Sequence, residues 1–243
     1  MQLSREERYI KLTGMPNTRD LGGYETQGGR YTRSNCFVRA SSMAGAKEED
    51  MDILRKKEVE IIIDLRSPNE RHHQPSKAYD EPSFQVYEIP LLQDKFVHTL
   101  PEDIKNFQDL SGFYIYLLEA NKENIRKIFE VFVKHSYQTI LFHCSAGKDR
   151  SGVISALLLD LAGCYEYDIV KDYSQSYENN QKMMESLEQV MDLEDKKFLS
   201  SNPRYMMKFL GYLKENYGSA KGYLLSCGIK EEDIEIIIEN FTI

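Results

Sequence analysis

The stretch from residue 139 to residue 163 constrains the fold of this chain more than any other. Residues 139–142 (Thr-Ile-Leu-Phe) are typical of a buried strand, and residues 153–161 form a Leu-rich run that stops before Gly163, as a helix does. The ten residues 143–152 between them are His-Cys-Ser-Ala-Gly-Lys-Asp-Arg-Ser-Gly. A strand, a tight turn and a helix N-terminus direct backbone N–H groups at one point. The sequence therefore predicts a binding site for an anion such as phosphate.

Three side chains of this loop favour nucleophilic chemistry at phosphorus. Converging N–H groups, a helix N-terminus and a guanidinium lower thiol pKa values from about 8.5 to roughly 3.5–7.5, so we expect Cys144 to act as a thiolate. Arg150 supplies a planar fork for two phosphate oxygens, and Ser151 can donate a hydrogen bond to the cysteine sulfur as it leaves. The alternative is a purely structural role, in which Cys144 is an inert buried thiol and Arg150 is a surface ion-pair partner. The joint pattern favours catalysis.

The other loop positions are predicted to bind or support the phosphate. Gly147 permits a backbone turn that a side chain would obstruct. His143 is expected to steady the loop through a hydrogen bond at the end of the strand, rather than to act as a general base. The predicted substrate-binding residues are Ser145, Ala146, Gly147, Lys148 and Ser151.

Residues 143–152 resemble the signature loop of the cysteine-dependent protein tyrosine phosphatases. Their Gly-Lys-Asp-Arg-Ser-Gly half is most similar to the bacterial tyrosine/serine phosphatases. Residues 17–24 (Asn-Thr-Arg-Asp-Leu-Gly-Gly-Tyr) are similar to that family's Asn-x-Arg-Asp-x-Gly-Gly motif. Residues 39–41 and residues 63–67 with Glu70 resemble its next two blocks, in the same order along the chain.

The resemblance covers roughly residues 16–163 and implies hydrolysis of phosphate monoesters through a phosphocysteine intermediate. Phosphotyrosine is the expected substrate, with phosphoserine and phosphothreonine in addition, and a phosphoinositide phosphatase is the alternative. Lys148 is then either solvated at the rim or faces a second phosphate, as the similar lysine is thought to do in dual lipid and protein phosphatases. No metal or organic cofactor is expected, because the thiolate and its cradle supply the nucleophile and the charge stabilisation.

Two explanations of a different class stay open at this point. A rhodanese-like sulfurtransferase also holds a cysteine in an anion-binding loop, but the interval of five residues between Cys144 and Arg150 and the following Ser151 argue against it. A non-catalytic phosphate-binding module derived from a phosphatase typically lacks the cysteine or the arginine, and this chain has both.

The proton donor for the leaving group is the hardest residue to assign. Typical tyrosine phosphatases carry it as an aspartate after a Trp-Pro pair, and this chain has no tryptophan. Asp149 lies in the loop itself, as in the myotubularin lipid phosphatases, and is the first candidate. Asp64 ends a predicted strand and comes second, although it could instead pair with Arg66 or Arg39, a supporting residue. Asp20 comes third and could instead cap a turn.

Alternating strands and helices predict an α/β fold of the tyrosine phosphatase type, with a mostly parallel central sheet flanked by helices. Strands are expected at residues 59–64 and 84–89, and an extended segment at residues 30–38. Helices are expected at residues 46–57 and after Asn121, which should cap the second one. Residues 101–118 carry apolar residues at mixed helical spacing. No linker divides the 243 residues, so we expect one domain.

Residues 165–243 are predicted to form a helical C-terminal cap that packs on a core of about residues 16–163. Apolar side chains recur at helical spacing there, for example at Met206, Phe209 and Leu213. Core packing is the ordinary explanation. The functional alternative is that residues 171–195, which are rich in methionine, form a lid beside the site.

Charge and composition exclude several other classes. A net charge of −8 argues against nucleic acid as a partner, and there is no run of 18 apolar residues to insert stably into a membrane. The N-terminus lacks an apolar signal core, and Cys36, Cys164 and Cys227 form no paired motif, so a reducing cytoplasm is expected. His72 and His73 are interpreted as loop residues without a metal. A phosphorylated protein or phosphoinositide is the expected partner, and the oligomeric state stays open.

Overall fold

The computed structural model describes residues 1–92, 107–190 and 196–243, and a five-stranded sheet lies at its centre. The strands are β1 (Arg19–Asp20), β2 (Phe37–Ala40), β3 (Val59–Asp64), β4 (Gln85–Glu88) and β5 (Thr139–His143). Their spatial order is β1-β2-β5-β3-β4. β1 is antiparallel to β2, and the other neighbours are parallel, which confirms the predicted mostly parallel α/β fold.

The register of the parallel strands brings three strand ends to the same edge of the sheet. In the pairing of β2 with β5, Ala40 lies opposite His143, and in the pairing of β3 with β5, Asp64 lies opposite His143. The carboxyl edge of a parallel sheet is where open α/β folds bind their ligands. The residues that follow Ala40, Asp64 and His143 are therefore neighbours, although they come from distant parts of the sequence.

Apolar side chains on both faces of the sheet explain why its central strands are nearly continuous in hydrophobicity. Ile61 and Ile63 belong to one buried cluster, whereas Ile62 belongs to the cluster on the opposite face. Strands of a parallel sheet that is covered on both sides show this pattern, because alternate side chains must each be buried.

Helices cover the two faces unequally. One face packs against the N-terminal segment, the α-helix Glu48–Lys56 and two short 3-10 helices, whereas most of the other α-helices lie on the opposite face, including those of the C-terminal part of the chain. The α-helices are α1 (Arg5–Arg8), α2 (Glu48–Lys56), α3 (Pro68–His73), α4 (Leu110–Ala120), α5 (Lys122–Lys134), α6 (Asp149–Leu161), α7 (Glu166–Asn179), α8 (Gln181–Glu188), α9 (Pro203–Tyr217), α10 (Ala220–Ser226) and α11 (Glu231–Phe241). Short 3-10 helices are Met43–Gly45, Lys77–Asp80 and Lys196–Leu199.

The helices after Gly163 pack as the periodicity predicts. Met206, Phe209 and Leu213 of α9 are buried in the same cluster as Ile61 and Ile63 of β3, so this part of the chain contributes to the core. In the described ranges, none of the helices has the length and apolar character needed to cross a membrane.

Several local expectations need correction. The side chain of Asn121 does not cap α5; its Nδ2 donates instead to the carbonyl of Leu117 at 2.9 Å. His72 and His73 lie in the last turn of α3 and not in a loop. The extended segment expected at residues 30–38 forms a regular strand only in β2, at its end. Residues 101–106 of the next expected helical stretch lie outside the described residues.

Candidate active site

The loop of residues 143–152 connects β5 directly to α6. β5 ends at His143, and α6 begins at Asp149, so that the intervening residues form a tight turn. Gly147 has a φ of 64° at this turn, and a Cβ atom there would lie 2.5 Å from the carbonyl oxygen of Ala40. Glycine is therefore required at this position for two reasons, its left-handed conformation and the close approach of β2.

Side chains from outside the loop bind its carbonyl groups. Asn17 donates from Nδ2 to the carbonyls of Ala146 and Gly147, at 3.0 Å each. Asn180, directly after α7, donates from Nδ2 to the carbonyl of Ala146 at 2.8 Å. Sequence reasoning included Asn17 only as part of a motif and missed Asn180 altogether, because a lone asparagine between two helices carries no local signal.

Arg39 completes the support of the loop. Its Nη2 donates to the carbonyls of Gly147 at 2.8 Å and Lys148 at 3.1 Å. The buried carboxylate of Asp172 binds Arg39 and also Arg19, whose Nε lies 2.8 Å from Asp172 Oδ1. Burial raises the pKa of a carboxyl group, but the two guanidinium groups outweigh it and hold the pKa of Asp172 well below its ordinary value. Burial and the neighbouring Arg19 lower the pKa of Arg39 to about 10.

The N–H groups of the same loop are free for a ligand. Within the described part of the chain, no group accepts a hydrogen bond from the backbone N–H groups of residues 145–148. They lie at the N-terminus of α6, where the helix dipole adds positive potential. Neighbouring N–H groups without protein acceptors at a helix N-terminus form a site that suits an anion.

Cys144 is buried at the start of this loop, next to the carboxyl edge of the sheet. The Nδ1 atom of His143 lies 3.2 Å from the carbonyl oxygen of Cys144, at the end of β5. Burial lowers the pKa of His143 below its ordinary value, more than the nearby Asp64 raises it.

Arg150 is held by a carboxylate that lies 80 residues away in sequence. Its Nη1 and Nη2 donate to Glu70 Oε2 at 2.6 Å and to Glu70 Oε1 at 2.8 Å. The hydroxyl of Ser145 also donates to Glu70 and accepts from Arg150 Nη2 at 3.1 Å. The Nε–H of Arg150 has no acceptor among the described residues, so this edge of the guanidinium remains available.

Glu70 was not predicted as a site residue, although it belongs to a recognisable motif. It is the third residue of α3 and forms a capping box with Ser67, which orients it at the helix start. Burial would raise the pKa of Glu70, but Arg150 and Ser145 outweigh this effect and lower it to about 2. Glu70 is thus a carboxylate at all physiological pH values.

The three candidate acids occupy different environments. Asp149 lines the cleft with its side chain 26% exposed, and its Oδ1 accepts from the hydroxyl of Tyr114 at 2.6 Å. No hydrogen bond or ion pair of the described residues involves Asp149 Oδ2. The hydroxyl of Tyr114 also lies 2.6 Å from that of Tyr173, and both rings are buried.

Asp64 is fully buried and accepts from Arg66 Nη2 at 2.7 Å and from the hydroxyl of Tyr79 at 3.2 Å. Burial would raise its pKa, but His143 and Arg66 outweigh this effect and hold it below the ordinary value. Asp20 accepts from the backbone N–H groups of Gly22 and Asn35, at 2.8 Å each, and so caps a turn away from the loop.

Ser151 and Lys148 are both buried but differ in their hydrogen-bond partners. The hydroxyl of Ser151 is buried and has no hydrogen-bond partner among the described residues, which leaves it available. The Nζ of Lys148, in contrast, donates to the carbonyls of Phe198, Leu199 and Ser200. The expectation of a solvated lysine at the rim is therefore wrong, because three backbone carbonyls replace water around its ammonium group.

The loop opens into a cleft of about 540 Å³. One side of the cleft is polar and includes Glu70, His73 and Gln74, and the loop itself forms the floor. The opposite side, which we call the apolar wall, consists of the residues Met183, Met184, Leu187, Phe198 and Leu199. The methionine-rich segment for which a lid is the functional alternative therefore contributes side chains to the cleft from α8.

A cysteine and an arginine in an anion-binding loop between a strand and a helix define this molecule as a cysteine-dependent phosphatase. A sequence model described as the tyrosine phosphatase family matches residues 10–243. The chain belongs to the tyrosine phosphatase family, which decides against a sulfurtransferase.

Two curated relatives are consistent with this assignment, and one solved structure is similar to the chain at low identity. The chain is 28% identical to a tyrosine-protein phosphatase of Nostoc commune over 214 residues, which are 83% of this chain and 72% of that protein. It is 30% identical over 112 residues to the triple specificity protein phosphatase PtpB of Mycobacterium tuberculosis, covering 39% of this chain and 41% of that protein. The crystal structure of P. aeruginosa TpbA aligns with 82% of this chain and 91% of its own at 13% identity, with a TM-score of 0.36.

Proposed function

We propose that this protein hydrolyses phosphate monoesters through a phosphocysteine intermediate on Cys144, and that phosphotyrosine is its preferred substrate. The observation that carries the proposal is the arrangement of the loop backbone. Side chains from three other parts of the chain bind its carbonyl groups, whereas the N–H groups of residues 145–148 have no acceptor in the described part of the chain. Such preorganised donors stabilise the negative charge that phosphoryl transfer spreads over the equatorial oxygens.

In the first step, the thiolate of Cys144 attacks phosphorus in line with the ester oxygen. The S–P bond forms, the P–O bond to the leaving group breaks, and the leaving oxygen takes a proton from Asp149. Arg150 binds the phosphoryl oxygens through its Nε edge, because Glu70 holds the opposite end of its guanidinium.

In the second step, water attacks the phosphocysteine and releases inorganic phosphate. The carboxylate of Asp149 accepts the proton of the attacking water, so the acid of the first step is regenerated. The S–P bond breaks, and Cys144 leaves as a thiolate. The unpaired hydroxyl of Ser151 supports this departure by donating a hydrogen bond to the sulfur.

Asp149 is the better supported proton donor. Its Oδ2 is unoccupied and its side chain is partly exposed at the cleft, whereas Tyr114 holds Oδ1 and so fixes the rotation of the carboxyl group. Asp64 is fully buried, bound by Arg66 and held at a lowered pKa, so it stays ionised and positions its neighbours instead. A general acid needs both access to the leaving oxygen and a proton to give.

The apolar wall favours an aromatic ester. The ring of phosphotyrosine buries a large apolar surface, and Met and Leu side chains adapt to its shape. The name of the relative from M. tuberculosis indicates more than one substrate class. A phosphoinositide with several phosphates is less well supported, because Lys148 already donates to three carbonyl groups.

Assays of the wild type and the Cys144→Ser variant test the proposal. A panel of phosphopeptides and phosphoinositides should show turnover by the wild type, strongest with phosphotyrosine, and none by the variant. The variant should still bind a phosphorylated peptide, vanadate should inhibit the wild type, and a chelator should not. Full turnover by Cys144→Ser, or loss of wild-type activity in the chelator, would contradict the phosphocysteine mechanism.

A further inference from the structure

The ammonium group of Lys148 is enclosed by backbone. Nζ lies 2.7 Å from the carbonyl oxygen of Phe198, 3.3 Å from that of Leu199 and 3.0 Å from that of Ser200. An ammonium group has three N–H donors, so these three carbonyls can satisfy all of them. The carboxyl group of Asp149 lies 3.4 Å from Nζ, and Lys148 is only 2% exposed.

These contacts connect the phosphate-binding loop to the apolar wall. Lys148 is the last residue before α6, whereas the carbonyls belong to the 3-10 helix Lys196–Leu199 and the residue after it. A four-residue helix leaves carbonyl groups at its end without partners inside the helix, and Lys148 binds them. The side chains of Phe198 and Leu199 that line the cleft are thereby held at a fixed distance from the loop.

We infer that Lys148 is a specificity-determining residue that acts through the wall it anchors, and not through its charge on the substrate. This inference rests on the function proposed above. With the wall fixed, the cleft has an apolar side against which an aromatic ring can pack while its phosphate occupies the loop. A second phosphate gains little from Lys148, because moving Nζ toward it would leave three carbonyls without their donor.

A Lys148→Met variant tests the anchor, by which we mean the contacts of Lys148 Nζ with the three carbonyls. Methionine keeps an unbranched apolar side chain but has no N–H donor. The substrates are phenyl phosphate and naphthyl phosphate, which have leaving groups of similar acidity but differ by one ring. We expect the preference for the larger ester, as the ratio of kcat/KM values, to fall about tenfold and mainly through KM, because a ring buries roughly 50 Å² more apolar surface. Lys182→Met, which removes an exposed lysine of α8, is the matched control and should keep the ratio.

A second variant guards against a Lys148→Met protein that fails to fold. Leu199→Ala shortens the wall and leaves Lys148 in place, and it should lower the same ratio. Lys148→Arg keeps the positive charge, but its wider guanidinium does not match the three carbonyls, so it should behave like Lys148→Met.

A pair of inositol phosphates separates the anchor from a charge effect. One member carries one phosphate and the other carries two. Lys148→Met should reduce kcat/KM for both by the same factor. A loss confined to the doubly phosphorylated member, restored by Lys148→Arg, would overturn the inference and assign Lys148 to the second phosphate.

Hydrogen exchange gives a readout that needs no activity. The amides of residues 198–201 should exchange at least tenfold faster in Lys148→Met than in the wild type, with no change in β3. If the wild type hydrolyses none of the esters, the proposed function fails while faster exchange still supports the anchor. Unchanged exchange in a folded Lys148→Met protein would refute the anchor whatever the activity.

Discussion

Glu70 accepts hydrogen bonds from both terminal nitrogens of Arg150, at 2.6 and 2.8 Å, and so fixes the guanidinium at the mouth of the phosphate-binding loop. The contact joins the start of α3 to the start of α6 across the carboxyl edge of the sheet. It leaves the Nε edge of Arg150 without an acceptor among the described residues, so Glu70 sets the direction of the donors that we propose bind the substrate.

Replacing Glu70 by glutamine should impair catalysis without removing any group that contacts the substrate. Glutamine has nearly the same shape but no charge, and its amide nitrogen cannot accept from Arg150. Because hydrogen bonds to charged groups contribute about 1.5–3 kcal/mol, we expect kcat/KM for an aryl phosphate to fall about ten- to hundredfold. Glu49→Gln, on the exposed side of α2, should match the wild type. Equal activities of the two variants would show that Arg150 needs no partner.

The same ion pair predicts how stability depends on pH. The pKa of Glu70 is about 2 in the folded protein, against an ordinary value of 4.5. A carboxyl group with a lowered pKa stabilises the fold above its unfolded pKa, and this contribution is lost as the pH falls from the unfolded value toward the folded one. Between about pH 6 and about pH 3.5, the free energy of unfolding measured with urea should therefore decrease more for the wild type than for Glu70→Gln. Identical decreases would contradict the lowered pKa.

The four cysteines should differ sharply in reactivity. Burial raises the pKa of Cys36 to about 12 and that of Cys164 to about 12, and it also raises the pKa of Cys227. Cys144 instead lies at the N–H groups of an anion-binding loop, and thiolates react with alkylating agents whereas thiols do not. Iodoacetate at about pH 6 should therefore label Cys144 first, and phosphate should protect it. Mass spectrometry after partial labelling measures this, and equal labelling of all four cysteines would count against an activated thiolate.

The buried carboxylate of Asp172 should matter to stability more than any surface ion pair. It lies between Arg19 and Arg39, and Asp172→Asn would leave two buried guanidinium groups without their counter-charge. Breaking a buried ion pair in this way costs about 3–5 kcal/mol. The free energy of unfolding should decrease by that amount, whereas Glu166→Gln on the exposed side of α7 should change it little. A decrease below about 1 kcal/mol, as for a surface pair, would contradict this assignment.

The fold and the centre of the site could be predicted from sequence because their signals are local. The residues 139–163 contain the strand, the loop and the helix in one stretch, and the β-branched run at residues 59–64 is a strand at those bounds. Asn180 and Asp172 could not be found in this way, because their partners lie more than 30 and 130 residues away, respectively, and meet them only in the folded chain.

The surroundings of Lys148 could not be predicted from the sequence either. The residue type and its place in the loop suggested a charge that faces water or a second phosphate. Its surroundings are set by a 3-10 helix about 50 residues later in the chain, which no local pattern connects to the loop. The environment of a charged side chain therefore depends on the packing of distant segments, whereas the geometry of a strand–loop–helix unit does not.

Two asparagine variants separate the two candidate acids. Asp149→Asn should slow the hydrolysis of alkyl and tyrosyl phosphates far more than that of an aryl phosphate with a good leaving group, because such a leaving group needs little protonation. General acid catalysis contributes about a hundred- to ten-thousandfold, so the dependence of kcat on leaving-group pKa should become much steeper. Asp64→Asn should slow all substrates alike, since it removes the partner of Arg66 and not a proton donor. If Asp64→Asn shows the steeper dependence and Asp149→Asn does not, then the proton comes from the end of β3, and the open Oδ2 of Asp149 has another use.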